Sequence, residues 1–136
     1  MDDRELCRRI AYEWLGRPYI WGGDDPIAGF DCSGFCIELL KSVGRLPREG
    51  DWRARDLHGM FPSVPSPYLG CLVFWGDPIV HVEFCLDSRL AIGASGGTSQ
   101  TQTEADAIRM NAYIKIRPMA SRPGIFGYVD PFLQGA

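Results

Sequence analysis

The residues best suited to covalent chemistry are Cys32 and His81. A cysteine attacks through its thiolate, and a free thiol titrates near ~8.5. Cys32 stands in the run Asp31-Cys32-Ser33-Gly34-Phe35, at the expected start of a helix. Unpaired N–H groups and the helix dipole favour negative charge there, so the placement predicts a lowered thiol pKa. Asp31 takes the N-cap position, and its own charge works against the thiolate. Ser33 and Gly34 leave room at the helix end, and the backbone N–H of Cys32 is a natural oxyanion donor. His81 falls in the strand-like run Pro78 to Leu86. Alternation sends Val80 and Val82 to one face and His81, Glu83 and Cys85 to the other. A histidine projecting from a sheet toward a helix N-terminus can act as general base for a thiol. Each residue alone has an ordinary alternative, a buried thiol or a hydrogen-bonded strand histidine. His58, next to Gly59, is expected at the surface.

The other cysteines, Cys7, Cys36, Cys71 and Cys85, bring the count to five. An odd number at these spacings suggests no disulfide framework, so reduced, buried thiols are expected. A zinc site would need more ligands at suitable spacing than two histidines provide, and no metal is expected.

Several elements must position these groups. Asp2 and Glu5 have capping-box spacing, and Leu6, Ile10, Ala11 and Trp14 fall at helical spacing. They predict a helix from Asp3 to Leu15, stopped by Gly16. The stretch from Arg17 to Phe30 is rich in Gly, Pro and Asp and reads as a loop. A second helix is predicted over Cys32 to Val43, with Phe35, Leu39 and Leu40 buried and Gly44 closing it. A short third helix covers Trp52 to Met60, followed by a proline-rich irregular segment. Beyond it, five short apolar or alternating runs read as strands: 71–75, 80–86, 90–95, 111–119 and 125–130. Thr101 to Met110 reads as a loop with a helical turn. Helices first and strands second predict an α+β fold with an antiparallel sheet.

At 136 residues, the chain is expected to form a single domain, 1–136. A hydrophobic share of 46% argues against intrinsic disorder. The net charge of −3 gives no electrostatic reason to expect nucleic acid or an anionic membrane as partner. The start Met-Asp-Asp-Arg-Glu-Leu-Cys-Arg-Arg has no secretory pattern, so cytoplasmic synthesis is expected, and the chain either stays there or leaves by another route, through lysis or in a virion.

Read together, the lead-in Pro18-Tyr19-Ile20-Trp21-Gly22-Gly23, the run Asp31 to Phe35, Gly70 to Gly76, His81-Val82-Glu83-Phe84 and Ala94 to Gly97 resemble the NlpC/P60 family of bacterial and phage cysteine peptidases. The resemblance runs from about Arg17 to Gly97 and implies a papain-like fold, with N-terminal helices packed on a C-terminal antiparallel sheet. It implies Cys32 as nucleophile, His81 as base, Tyr19 lining the active site, and Asp31 and Ser33 flanking the nucleophile. Trp21 and the loop to Asp25 would form one wall of the cleft. The implied activity is hydrolysis of peptidoglycan stem peptides at D-γ-glutamyl-diaminopimelate or -lysine bonds, without metal or organic cofactor. Partners would be a stem peptide or murein fragment, and phage structural proteins if the chain rides in a virion. A non-catalytic stem-peptide-binding or tail assembly module on the same fold is the alternative.

The chain departs from the resemblance where the family carries a third polar residue that orients the base. By register that position is Gly93, which has no side chain. Glu83, on the face of His81, and Ser95, two residues beyond Gly93, are the stand-ins. A backbone carbonyl or water at Gly93 is another, and Asn111, expected to begin a later strand, is a further one. Cys71 also replaces a common aspartate, a change expected to touch a turn.

Overall fold

A computed structural model describes residues 2–25 and 29–133. Their elements in order are α1 (Asp3–Glu13), β1 (Asp24–Asp25), β2 (Gly29–Phe30), α2 (Cys32–Ser42), α3 (Ala54–Met60), β3 (Ser63–Val64), β4 (Leu72–Trp75), β5 (His81–Cys85), β6 (Leu90–Ser95), α4 (Glu104–Met110), β7 (Tyr113–Pro118) and β8 (Ile125–Val129). Residues 26–28 of the expected loop lie outside the described residues.

Asp2 caps α1 by accepting the Glu5 N–H at 2.9 Å. The helix ends earlier than Leu15, and its buried line runs through Cys7 and Ala11, while Leu6 is exposed. α2 is apolar on nearly all sides, because it lies under both α1 and the sheet. Trp14, Phe30 and Phe35 interlock beneath it, with ring centroids 5.0 to 5.9 Å apart. The predicted strands appear in one six-stranded antiparallel sheet ordered β3-β8-β4-β5-β6-β7.

Alternation gives the sheet two apolar faces. Leu72, Phe74, Val82, Phe84, Ile92, Ala94 and Ile114 join the main core with the helices. Cys71, Val73, Trp75, Cys85, Ala91 and Met119 form a smaller cluster. Three further details differ from the sequence expectation. The proline-rich segment supplies a short strand, β3, paired with β8. The Gly-rich loop contains the small β1-β2 hairpin. Asn111 begins no strand; it is the left-handed cap of α4 at φ 55°, a conformation its short amide tolerates. Among the described residues, no helix is long and apolar enough to cross a membrane.

Candidate active site

The site is built at the first turn of α2. Asp31 Oδ1 accepts the Gly34 N–H at 2.7 Å and Oδ2 accepts the Gly22 N–H at 3.1 Å. One carboxylate therefore caps the helix and ties it to the loop ahead of it. Only glycine fits at position 34, because a Cβ there would lie 2.0 Å from the Gly23 carbonyl oxygen. This packing seats Cys32 at a fixed place on the sheet.

That place is a gap in the ladder. β5 and β6 pair only at Phe84↔Ile92 and Cys85↔Ala91, leaving the first residues of β5 without partners on β6. α2 packs against both strands there. The Cys32 thiol meets the backbone N–H of Val82, the residue after His81, and that of Ser33.

His81 and Glu83 stand opposite Trp75 and Val73, so both leave the sheet on the face of the smaller cluster. Both are buried, and His81 Nε2 lies 2.6 Å from Glu83 Oε2. A carboxylate can only accept, so the imidazole donates through Nε2 and keeps Nδ1 as its basic nitrogen. The Trp75 ring packs on the imidazole at 5.2 Å. The imidazole spends its hydrogen bond on Glu83 and makes none to Cys32 in this resting arrangement.

The stand-ins for Gly93 separate clearly. A Cβ on Gly93 would lie 2.5 Å from Glu83 Cγ, so the Glu83 side chain occupies the space that a residue at 93 would use. Ser95 is buried, but its Oγ has no hydrogen-bond partner and takes no part in holding His81. Asn111 sits at the end of α4, where Lys115 donates to its carbonyl.

The electrostatics of Cys32 run against the sequence expectation. Burial pushes its thiol up to about 11, with the charges of Asp31 and Glu83 adding to the effect. The N–H groups of Val82 and Ser33 pull the other way and lose. The N–H groups at the helix end act in the expected direction, but desolvation is the larger cost for a buried thiolate. Asp31 is likewise raised by its burial, against the bonds from Gly34, Gly22 and Ser33. Tyr19 is raised by burial and by the neighbouring Cys32 and Asp31. Its ring lies flush on Gly97, where a Cβ would approach within 2.0 Å.

A cleft of about 540 Å³ opens over Cys32. Tyr19, Trp21, Asp31 and Ser33 line it. Pro78 to Val80 and Arg53 to Arg55 line it too, and the sequence reading assigned these no role. The Arg-Ala-Arg run at the start of α3 was the one signal available. His58 is half-buried rather than a surface residue, wedged edge-on between Phe74 and Phe126 at 5.1 Å from each. Among the described residues, no group of three or more His, Cys, Asp or Glu side chains gathers as a metal site would require.

Comparison with known proteins agrees with this layout. The sequence profile of the NlpC/P60 family matches residues 16–117. The chain is 44% identical over 69 residues to Protein P54 of Enterococcus faecium, covering 49% of this chain and 13% of that protein. It is 37% identical over 79 residues to the bifunctional muramidase/DL-endopeptidase CwlT of Bacillus subtilis, covering 56% and 23%. The chain thus spans under a quarter of the length of these curated relatives. Among solved structures, the NlpC/p60 domain of the peptidoglycan hydrolase SagA superposes with a TM-score of 0.70 at 26% identity, covering 93% of this chain and 97% of that one. The peptidoglycan hydrolase RipB of Mycobacterium tuberculosis gives 0.72 at 25% identity, covering 98% and 66%.

Proposed function

The chain belongs to the NlpC/P60 family, and from that premise we propose that it is a cysteine peptidase cutting peptidoglycan stem peptides at D-γ-glutamyl-diaminopimelate or -lysine bonds. The observation that carries the reading is the juxtaposition at the gap between β5 and β6. There the Cys32 thiol lies beside the backbone that bears His81, and Glu83 holds the imidazole with Nδ1 basic. The named activities of CwlT and RipB support the substrate class.

With the thiol raised to about 11, the resting site at neutral pH holds S–H rather than a preformed thiolate. Proton removal is then part of the attack. His81 Nδ1 takes the thiol proton as Sγ bonds to the carbonyl carbon. The Cys32 N–H, at the open end of the helix, is placed to donate to the oxyanion. The C–N bond breaks as the imidazolium returns its proton to the leaving amine. Water then attacks the thioester, giving its proton to His81, and the acid product leaves with the thiol restored.

The test is cleavage of L-Ala-γ-D-Glu-diaminopimelate, followed by mass spectrometry. Wild type should cut it, Cys32→Ala should not, and His81→Ala should lose on the order of 10²-fold or more in kcat. Equal yields from wild type and Cys32→Ala would overturn the assignment of the nucleophile. No cleavage by wild type would overturn the peptidase reading in favour of a stem-peptide-binding module.

A further inference from the structure

We propose that Arg53 and Arg55 form a carboxylate-binding subsite in the Cys32 cleft, reading the free α-carboxylate of a γ-linked glutamyl residue next to the scissile amide. The inference rests on the peptidase reading above and deepens it. Both arginines line the cleft that contains Cys32, and both are exposed. Neither forms an ion pair or a side-chain hydrogen bond among the described residues, whereas Arg4, Arg8, Arg45, Arg48 and Arg109 each hold a carboxylate.

Asp24, Asp31 and Asp51 line an adjoining pocket with Arg53 but form no ion pair with it, and three nearby carboxylates accept backbone N–H groups instead. Asp56 accepts the Arg53 N–H, Asp51 accepts the Trp52 N–H, and Asp31 accepts from Gly22 and Gly34. Two guanidinium groups therefore line the cleft without an ion pair among the described residues. A guanidinium matches a carboxylate through two parallel N–H bonds, a fit that a neutral amide cannot reproduce. A γ-glutamyl bond uses the side-chain carboxyl and leaves the α-carboxylate free, within a residue of the carbon that Cys32 would attack. In an α-linked peptide the α-carboxyl is consumed by the amide, and no backbone carboxylate remains there.

The experiment compares two peptides, L-Ala-γ-D-Glu-diaminopimelate and the same peptide with the glutamyl α-carboxylate converted to its amide. Wild type should prefer the acid by on the order of tenfold in kcat/KM. Arg53→Ala/Arg55→Ala should bring the two peptides to parity, mainly through KM, with an unchanged circular dichroism spectrum. An undiminished preference in the double variant, or no preference in wild type, overturns the subsite. If wild type cuts neither peptide, the peptidase reading fails separately, and calorimetric binding decides the subsite. Acid binding that weakens about tenfold in the double variant, with amide binding unmoved, upholds it. Equal affinity in both proteins, or no binding of the acid, overturns it.

Discussion

Glu83 and Gly93 compete for one volume across β5 and β6, and that competition decides how His81 is held. A Cβ at 93 would press on Glu83 Cγ at 2.5 Å, and Glu83 is the residue whose carboxylate meets Nε2. Gly93→Ala should push Glu83 off the imidazole and mimic Glu83→Ala. Both variants should lose on the order of 10²-fold in kcat, with KM within a factor of a few, when assayed on the stem tripeptide. Because Glu83 acts through His81, the loss should fall on kcat rather than on KM, with an unchanged circular dichroism spectrum, which a purely structural loss would not produce. An unchanged kcat in Glu83→Ala would remove Glu83 from the mechanism. At this scale the sequence offered Glu83 and Ser95 as partners for His81 without ranking them. Glu83 and Ser95 both had the correct alternation, and only the cross-strand space around Gly93 separates the one that bonds His81 from the one left without a partner. The direction of the Cys32 pKa was missed for a related reason: the helix-end effect is local and visible in a motif, whereas burial depends on everything packed above it.

The start of α2 joins stability to reactivity. Asp31 satisfies two N–H groups, and its charge helps hold the Cys32 thiol in the protonated form. Asp31→Ala should cost about 1–2 kcal/mol in urea unfolding through the lost cap. It should also lower the thiol pKa from about 11, because a neighbouring negative charge has gone. Iodoacetamide alkylation of Cys32 is the readout. In wild type the rate should climb with pH toward about 11, and in the variant the rise should come at lower pH. A rise at the same pH would show that Asp31 acts only as a cap. The helices and main strands were legible because their apolar periods of 3.6 and 2 are long enough to stand out. β3 and the β1-β2 hairpin, two residues per strand, were not, since their pairing is imposed by β8 and by the turn rather than by a pattern of their own. The gap between β5 and β6 was equally illegible, because register is a property of two distant segments. It is nonetheless the feature that lets a helix end reach the backbone of a strand.

Across the whole molecule, α1 is fastened to the segment after β8 by a cluster far from Cys32 in sequence. Arg4 donates through both terminal nitrogens to Asp130, at 3.0 and 2.8 Å, and Tyr68 and the Phe132 N–H also donate to it. Asp130 is fully buried, and its burial alone would raise its pKa. The bonds from Arg4, Tyr68 and Phe132 outweigh that and hold it below the usual carboxylate range. A carboxyl lowered on folding stabilises the fold above its unfolded pKa and loses that contribution as pH falls through the folded value. Asp130→Asn keeps the shape and removes the charge, leaving Arg4 facing a weaker acceptor. At pH 7 it should cost about 3 kcal/mol, read from urea midpoints. As pH falls through its lowered folded value, wild-type Asp130 takes up its own proton, and the gap between the two proteins should close. A gap that stays constant with pH would mean that the loss comes from packing around the amide. Because this cluster fastens the chain's first helix to its last strand region and touches no residue of the cleft, the variant should retain wild-type kcat at temperatures where it remains folded. A fall in kcat under those conditions would mean that the α1 anchor also sets the position of α2, and through it of Cys32.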